Sequence, residues 1–191
     1  PGGSMASSDN VAMPVSPDFY VEETDDGFNI GLYSGHIPNV KVSPSYVEFV
    51  SAGSGASAAE QEAARRQVSE ASLYVAAIRQ RQRTMLDTMH AIVRLQPDYF
   101  RDGDRSLLRP MTQKDVADII HRDPSTVSGV VSNKYADTPF GIVPLASLFT
   151  QSFVNQQGEE VSREAVRIKM HELIDAEDPI HPLTDDELAD K

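Results

Sequence analysis

The most regular hydrophobic pattern in the chain runs over residues 58–96, where there is no Gly or Pro and Ala71, Val75, Ile78, Gln82, Met85, Met89, Ile92 and Gln96 alternate four and three apart. That spacing keeps one stripe on one face of a helix. At about 1.5 Å per residue the stretch makes a rod of roughly 58 Å, far longer than the globular mean of about 11 to 12 residues. So long a rod needs partners on more than one side. A coiled-coil or bundle helix is the plain reading, and polar Gln82 between Ile78 and Met85 weakens a pure coiled-coil assignment. Pro97 ends or kinks the helix, and Arg101-Asp102-Gly103-Asp104 forms a turn.

From Thr112 to Lys134 the pattern carries the most information. Thr112 caps a helix whose apolar side is Val116, Ala117, Ile119 and Ile120, and Arg122-Asp123-Pro124 forces a break. Ser125 is then expected to cap a second helix with Val127, Val130 and Val131 inward and Thr126, Ser128, Ser132, Asn133 and Lys134 outward. This is a helix-turn-helix in which Ala117 lets the helices approach and Val127 and Val130 act as wedges. An outward row of Ser, Thr, Asn and Lys suits hydrogen bonds to phosphates and base edges.

Two β-prone runs, 18–23 and 28–33, flank Thr24-Asp25-Asp26-Gly27 and predict a hairpin, since Gly accepts the positive φ of the turn. An isolated hairpin is marginal in water, so this one is expected to pack on something absent from the chain. Ile37-Pro38 and Ser43-Pro44 break structure, Pro44 to Val50 starts a short helix, and 51–57 (SAGSGAS) reads as a flexible linker. Pro1 to Ser4 have the composition of a cloning remnant before Met5, and the chain to residue 16 is aperiodic. Beyond the helix-turn-helix come an apolar stretch from Ile142 to Phe153 interrupted by Pro144, a loop, and a helix capped by Ser162 and stopped before Pro179. Residues 183–189 look like the capped start of another helix, as in an internal piece of something larger. The expected fold is mainly α: a long helix plus a helix-turn-helix three-helix domain, with a small N-terminal β-hairpin.

Composition bounds the chemistry. The 191 residues include no Cys, which excludes a disulfide scaffold, thiolate-bound zinc and a cysteine nucleophile. No apolar run approaches the roughly 18 residues that span a bilayer. The formal charge of -12 argues against a nucleic-acid binder until it is divided along the chain. Residues 58–134 hold twelve basic groups against ten acidic ones, a net of +2, and the remainder carries -14. Arg79, Arg81 and Arg83 lie in that basic centre, either as a solvated helix face or as contacts to nucleic acid or a partner.

No catalytic or metal set emerges. His36, His90, His121, His171 and His181 never fall at HxxxH spacing, and Gly27, Gly31 and Gly35 lead to no phosphate loop or Walker lysine. Asp25-Asp26 and Asp185-Asp186-Glu187 suit a turn and a helix start better than acid/base chemistry.

A set of motifs in order nevertheless resembles one family. Pro17-Asp18-Phe19, Ile37-Pro38, Arg81-Gln82-Arg83-Thr84-Met85-Leu86, Lys114-Asp115-Val116-Ala117, Ser125-Thr126-Val127-Ser128, Ser132-Asn133-Lys134-Tyr135 and Thr138-Pro139-Phe140-Gly141-Ile142 are similar to the bacterial sigma-54 factors, in a Bacteroidetes-like form. With 1–16 read as tag or disordered and 51–57 as a linker, the resemblance implies that 17–50 ends a core-RNA-polymerase-binding region and that 58–101 is an extra-long helix. It implies further that 106–150 is the helix-turn-helix domain, 151–178 a loop and C-terminal helix, and 179–191 the start of the promoter-reading C-terminal domain.

As partners the family implies core RNA polymerase, promoter DNA and an AAA+ enhancer-binding activator, with no membrane. The implied protein is cytoplasmic, non-catalytic and without cofactor or metal, holding the polymerase closed until the activator acts. DNA contact falls to Ser125, Thr126, Ser128, Ser132, Asn133 and Lys134, and regulatory or DNA-backbone contact to Arg79, Arg81 and Arg83. Arg81 matches the family's long-helix arginine at the inhibitory contact. Gly129, Phe140 and Ala146 stand where many members carry a basic residue, so weak, salt-sensitive DNA binding is expected of the fragment.

A LacI-like repressor shares Asp115-Val116-Ala117 and Ser125-Thr126-Val127-Ser128, but there the unit opens the chain and a large sugar-binding domain follows. The other alternative is a protein-interaction module whose helix-turn-helix only packs.

Overall fold

The computed structural model describes residues 15–33, 40–52, 57–154, 160–176 and 184. The readings for the first 14 residues, for Ile37-Pro38, for the loop 155–159 and for 185–191 lie outside the described residues.

Strands β1 (Phe19–Thr24) and β2 (Gly27–Leu32) pair antiparallel with Thr24 opposite Gly27, leaving Asp25-Asp26 as a two-residue turn. Gly27 follows at φ 137°, a conformation that L side chains resist. Phe19 and Val21 are buried, whereas Glu22 and Glu23 face water. Contrary to the expectation of a partner outside the chain, β1 lies parallel to β3 (Tyr135–Thr138), with Phe19 opposite Ala136. β3 turns back into β4 (Gly141–Pro144), giving a four-stranded sheet in the order β2-β1-β3-β4. The hairpin needed more strands, and the chain supplies them more than 100 residues later.

Helix α1 (Pro44–Ala52) extends into the expected linker, and α2 (Ala58–Leu95) then runs 38 residues without a break. A capping box starts α2: the Ser57 backbone N–H donates to the Glu60 carboxylate at 2.8 Å, and the Ser57 hydroxyl accepts from the Glu60 N–H. Pro97 does not kink α2 but opens α3 (Pro97–Asp102), where a missing N–H costs nothing. Gly103 ends α3 at φ 74° under the ring of Phe140, which a Cβ there would strike.

α4 (Gln113–Ile120) begins with the capping box of Thr112 and Asp115. The start of α5 (Pro124–Val131) corrects the sequence reading, because its cap is Asp123 and not Ser125. The Asp123 carboxylate accepts from the Ser125 N–H at 2.8 Å, and Pro124 takes the first helical position. After β4 a 3-10 turn, Leu145–Leu148, buries Leu145 and Leu148. β5 (Ser152–Val154) and β6 (Glu160–Ser162) form a separate two-stranded ribbon, and α6 (Arg163–Asp175) follows, capped by Ser162.

One hydrophobic cluster unites these parts. Phe19 and Val21 from the hairpin, Met85, Met89 and Ile92 from α2, Phe100, Val116, Ala117, Val127, Val131, Ala136 and Leu148 all belong to it. Gln96, fully buried, ties the end of α2 to the chain beyond α3: its amide nitrogen donates to the Arg109 carbonyl at 2.7 Å, and its amide oxygen accepts the Arg109 N–H at 2.8 Å. The molecule is mostly helical, with a long helix and a small N-terminal strand pair, and that pair is part of the helix-turn-helix core.

Candidate nucleic-acid interface

On α5 the valines at 127, 130 and 131 are buried and fix which side faces out. Ser125, Gly129, Ser132 and Asn133 are exposed, and Thr126 and Ser128 are half-buried. The Ser132 hydroxyl donates back to the Ser128 carbonyl at 2.8 Å, and Asn133 leaves the helix at φ 54°. These positions form one outward row.

Lys134 does not stand free in that row. Its Nζ lies 3.1 Å from Oδ1 of Asp18, and the two side chains are only 25% and 11% exposed. Asp18 also accepts the Tyr135 N–H at 3.2 Å, and its own N–H donates to the Tyr135 carbonyl at 2.9 Å. Lys134 therefore holds the hairpin to the helix-turn-helix, a role that only the tertiary contact reveals.

Arg79, Arg81 and Arg83 are all exposed, but they separate by helical phase. At roughly 100° per residue, Arg79 and Arg83 fall about 40° apart, and Arg81 lies on the far side. Arg81 joins Ala77, Gln80 and Thr84 on one wall of a cleft of about 460 Å³ whose other wall is Ser125, Thr126, Gly129 and Val130 of α5. A Cβ on Gly129 would meet nothing within 4 Å, so the cleft has room for a longer side chain there.

Ion pairing sorts the cations of residues 58–134. Arg66, Arg101, Arg105, Arg109 and Lys134 are engaged by Glu62, Glu23, Glu164, Asp98 and Asp18. Arg65, Arg79, Arg81, Arg83, Arg94, Lys114 and Arg122 have no ion-pair partner among the described residues. All but Arg65 lie on the helix-turn-helix or the adjoining part of α2. At the start of α5, hydrogen bonds from the Ser125 hydroxyl and N–H hold the Asp123 carboxyl below the usual range. An anion thus occupies that helix end, and positive charge for phosphates has to come from α2 and α4.

Among the described residues no group of three or more His, Asp or Glu is placed to hold a metal, and no helix is long and apolar enough to cross a membrane.

Residues 61–191 match the family model for the sigma-54 DNA-binding domain. The chain belongs to that family. It is 36% identical over its whole length to the RNA polymerase sigma-54 factor of Azorhizobium caulinodans, and 37% identical over 92% of its length to sigma-54 factor 2 of Bradyrhizobium diazoefficiens. The sigma-54 factor of Pseudomonas putida is 30% identical over 99% of the chain. The chain spans 33–37% of the length of these relatives. The structure of Aquifex aeolicus sigmaN bound to promoter DNA matches with a TM-score of 0.65 and 24% identity, covering 96% of this chain and 54% of that one, and so shares the fold.

The family match decides for the sigma-54 reading over the LacI-like one. The sigma-54 family match begins within α2, whereas packing adds β1 and β2 to the same core. The folding unit is therefore larger than the matched segment.

Proposed function

We propose that this chain is the central part of a sigma-54-type transcription initiation factor. It binds core RNA polymerase through 17–50, engages the downstream promoter element through α5, and helps to hold the complex closed until an AAA+ activator acts. It catalyses no reaction itself and works in the cytoplasm. Ser125, Thr126, Ser128, Ser132 and Asn133 make the base and phosphate contacts. Arg81, at the α2–α5 cleft, is the regulatory contact, and Lys134 serves by fixing the hairpin.

The observation that carries this reading is the sorting of charge: Arg79, Arg81, Arg83, Arg94, Lys114 and Arg122, on the helix-turn-helix and the adjoining part of α2, have no ion-pair partner among the described residues, whereas Arg101, Arg105 and Arg109 are paired. A protein-interaction module alone would gain nothing from that segregation beside an outward Ser/Thr/Asn row. Titration of a downstream-element duplex and a scrambled duplex at low salt tests the proposal, with tighter binding of the former expected. Equal affinity for both would end base readout by α5. Capture of core polymerase, with and without promoter DNA, separately tests the role of 17–50.

A further inference from the structure

The four-stranded sheet packs one face on the helical core and leaves the other outward. Phe19, Val21, Ala136 and Thr138 are buried on the inner face, so Tyr20, Glu22 and Asp137 alternate to the outer one. Strand register carries one row across that outer face: Gly31 stands opposite Tyr20, Tyr20 opposite Asp137, and Asp137 opposite Ile142. Three strand spacings of about 4.8 Å make the row roughly 14 Å wide. The Tyr20 ring lies over Gly31, where a Cβ would strike it, and meets the Tyr33 ring edge-on with centroids 5.7 Å apart. The Tyr33 hydroxyl donates to the Asp137 carboxylate at 2.7 Å, and the Asn29 amide donates to the Glu22 carboxylate at 3.0 Å. These bonds hold both carboxylates in place without neutralising them, since neither has an ion-pair partner among the described residues. The hydrogen bond to Asp137 first, with the charges of Asp137 and Glu22 adding to it, holds the Tyr33 phenol above its ordinary range, so both carboxylates act on one ring.

This is not the pattern of a plain solvated face. Tyr33 and Ile142 remain 38% and 47% exposed where an outward strand face ordinarily carries polar side chains. Aromatic rings beside unpaired carboxylates suit guanidinium and ammonium groups, through cation–π contact and charge-assisted hydrogen bonds. Lys134, the cation nearest in sequence to β3, is already held by Asp18. The same carboxylates would repel phosphates, and a second copy would set Glu22 and Asp137 against their own counterparts.

We infer, building on the proposed polymerase contact of 17–50, that Tyr20, Glu22, Tyr33, Asp137 and Ile142 form a docking surface for a basic, Arg- or Lys-bearing segment of core RNA polymerase. The contact thereby extends from the hairpin onto β3 and β4, which follow the helix-turn-helix in sequence. A segment lying across the strands grips both parts of the chain at once.

The test titrates core RNA polymerase with the whole chain at low and at moderate salt. The double variant Glu22→Gln, Asp137→Asn removes both charges and keeps both hydrogen-bond acceptors. It should weaken polymerase binding about tenfold at low salt and flatten the salt dependence. Ile142→Ser, outside 17–50, should weaken it about threefold by removing apolar contact. Glu70→Gln with Asp118→Asn removes the same charge from exposed positions on α2 and α4 and should leave binding within about twofold. Thermal melting checks that the variants stay folded, as outward side chains should allow.

Failure of the two readings is distinguishable. A wild type that binds core polymerase with an affinity that the sheet variants leave unchanged overturns the docking surface and leaves the contact of 17–50 standing. A wild type that binds no core polymerase overturns both. Equal weakening by the sheet pair and by Glu70→Gln with Asp118→Asn would reduce the effect to diffuse attraction and overturn the surface. Sheet variants that lose duplex DNA binding or self-association in place of polymerase binding would overturn it too.

Discussion

From Met85 to Leu95 the long helix buries six side chains, Met85, Thr88, Met89, Ala91, Ile92 and Val93, whereas from Ala58 to Thr84 it buries Ala64 and Val75 and leaves Leu73 and Tyr74 69% and 73% exposed. One helix therefore serves as the spine of a core at its end and as an arm at its beginning. The arm is sustained locally: by alanines, which favour helix, by the Ser57–Glu60 box, by the Glu62–Arg66 pair at 3.2 Å, and by α1 beside Val68 and Ala71. The spine depends on contacts made far away in sequence. Substitutions should therefore act very differently along one continuous element.

The strongest test of that contrast is at the spine. Gln96→Ala would strand the Arg109 N–H, leave its carbonyl only the Thr150 hydroxyl, and remove a bond to the Leu148 carbonyl, and a loss of about 3 kcal/mol is expected in urea unfolding. Met89→Ala, at a fully buried position, should cost about 2 to 5 kcal/mol. Losses below about 1 kcal/mol at both sites would mean that the α2 end is not a core element. Gly129→Ala on α5 should raise stability by about 1 kcal/mol, because the new Cβ enters open space while glycine is removed from a helix. A destabilised Gly129→Ala protein would show that the cleft beside α5 is filled.

α6 extends the comparison, since it buries no residue and meets the Arg105–Leu107 turn through charge. Hydrogen bonds from Arg167, and those of Arg105 with the charges of both, pull the Glu164 carboxyl down to about 2. Arg105 Nε lies 3.1 Å from Glu164 Oε1. The folded value is below the ordinary one, so this contribution is complete above about pH 4.5 and is lost as pH falls toward 2. Amide exchange should detect release of α6 in that window and not at neutral pH; in Glu164→Gln the release should already be present at pH 7. The smallest effect belongs to the arm: Leu73→Ala and Tyr74→Ala should each change unfolding free energy by no more than about 0.5 kcal/mol.

Much of the fold could be read from local pattern. The four-three spacing marked α2, Thr112 with Asp115 marked the start of α4, and Val127, Val130 and Val131 gave the inner face of α5. The cap of α5 was misplaced by two residues because Ser125 and Asp123 both favour caps, and Pro124 decides between them. Strands β3 and β4 were not legible, since each is four residues long and they gain stability only as a pair set beside β1 through β3. The outward row of α5 was legible at Ser132 and Asn133. Lys134 was not, because its counterion is 116 positions away.

The sequence by itself determined that the segments of α1, α2, α4, α5 and α6 would become helices, though not α3, and that positive charge would gather at the centre of an acidic chain. Local caps, periodicity and composition act within a few residues, so neighbouring side chains suffice to define them. Tertiary structure decided that the hairpin completes the helix-turn-helix core, that Asp18 withdraws Lys134 from the surface, and which arginines stay unpaired. Burial and ion pairing depend on distance in space, and the folded chain brings together groups that no local pattern relates.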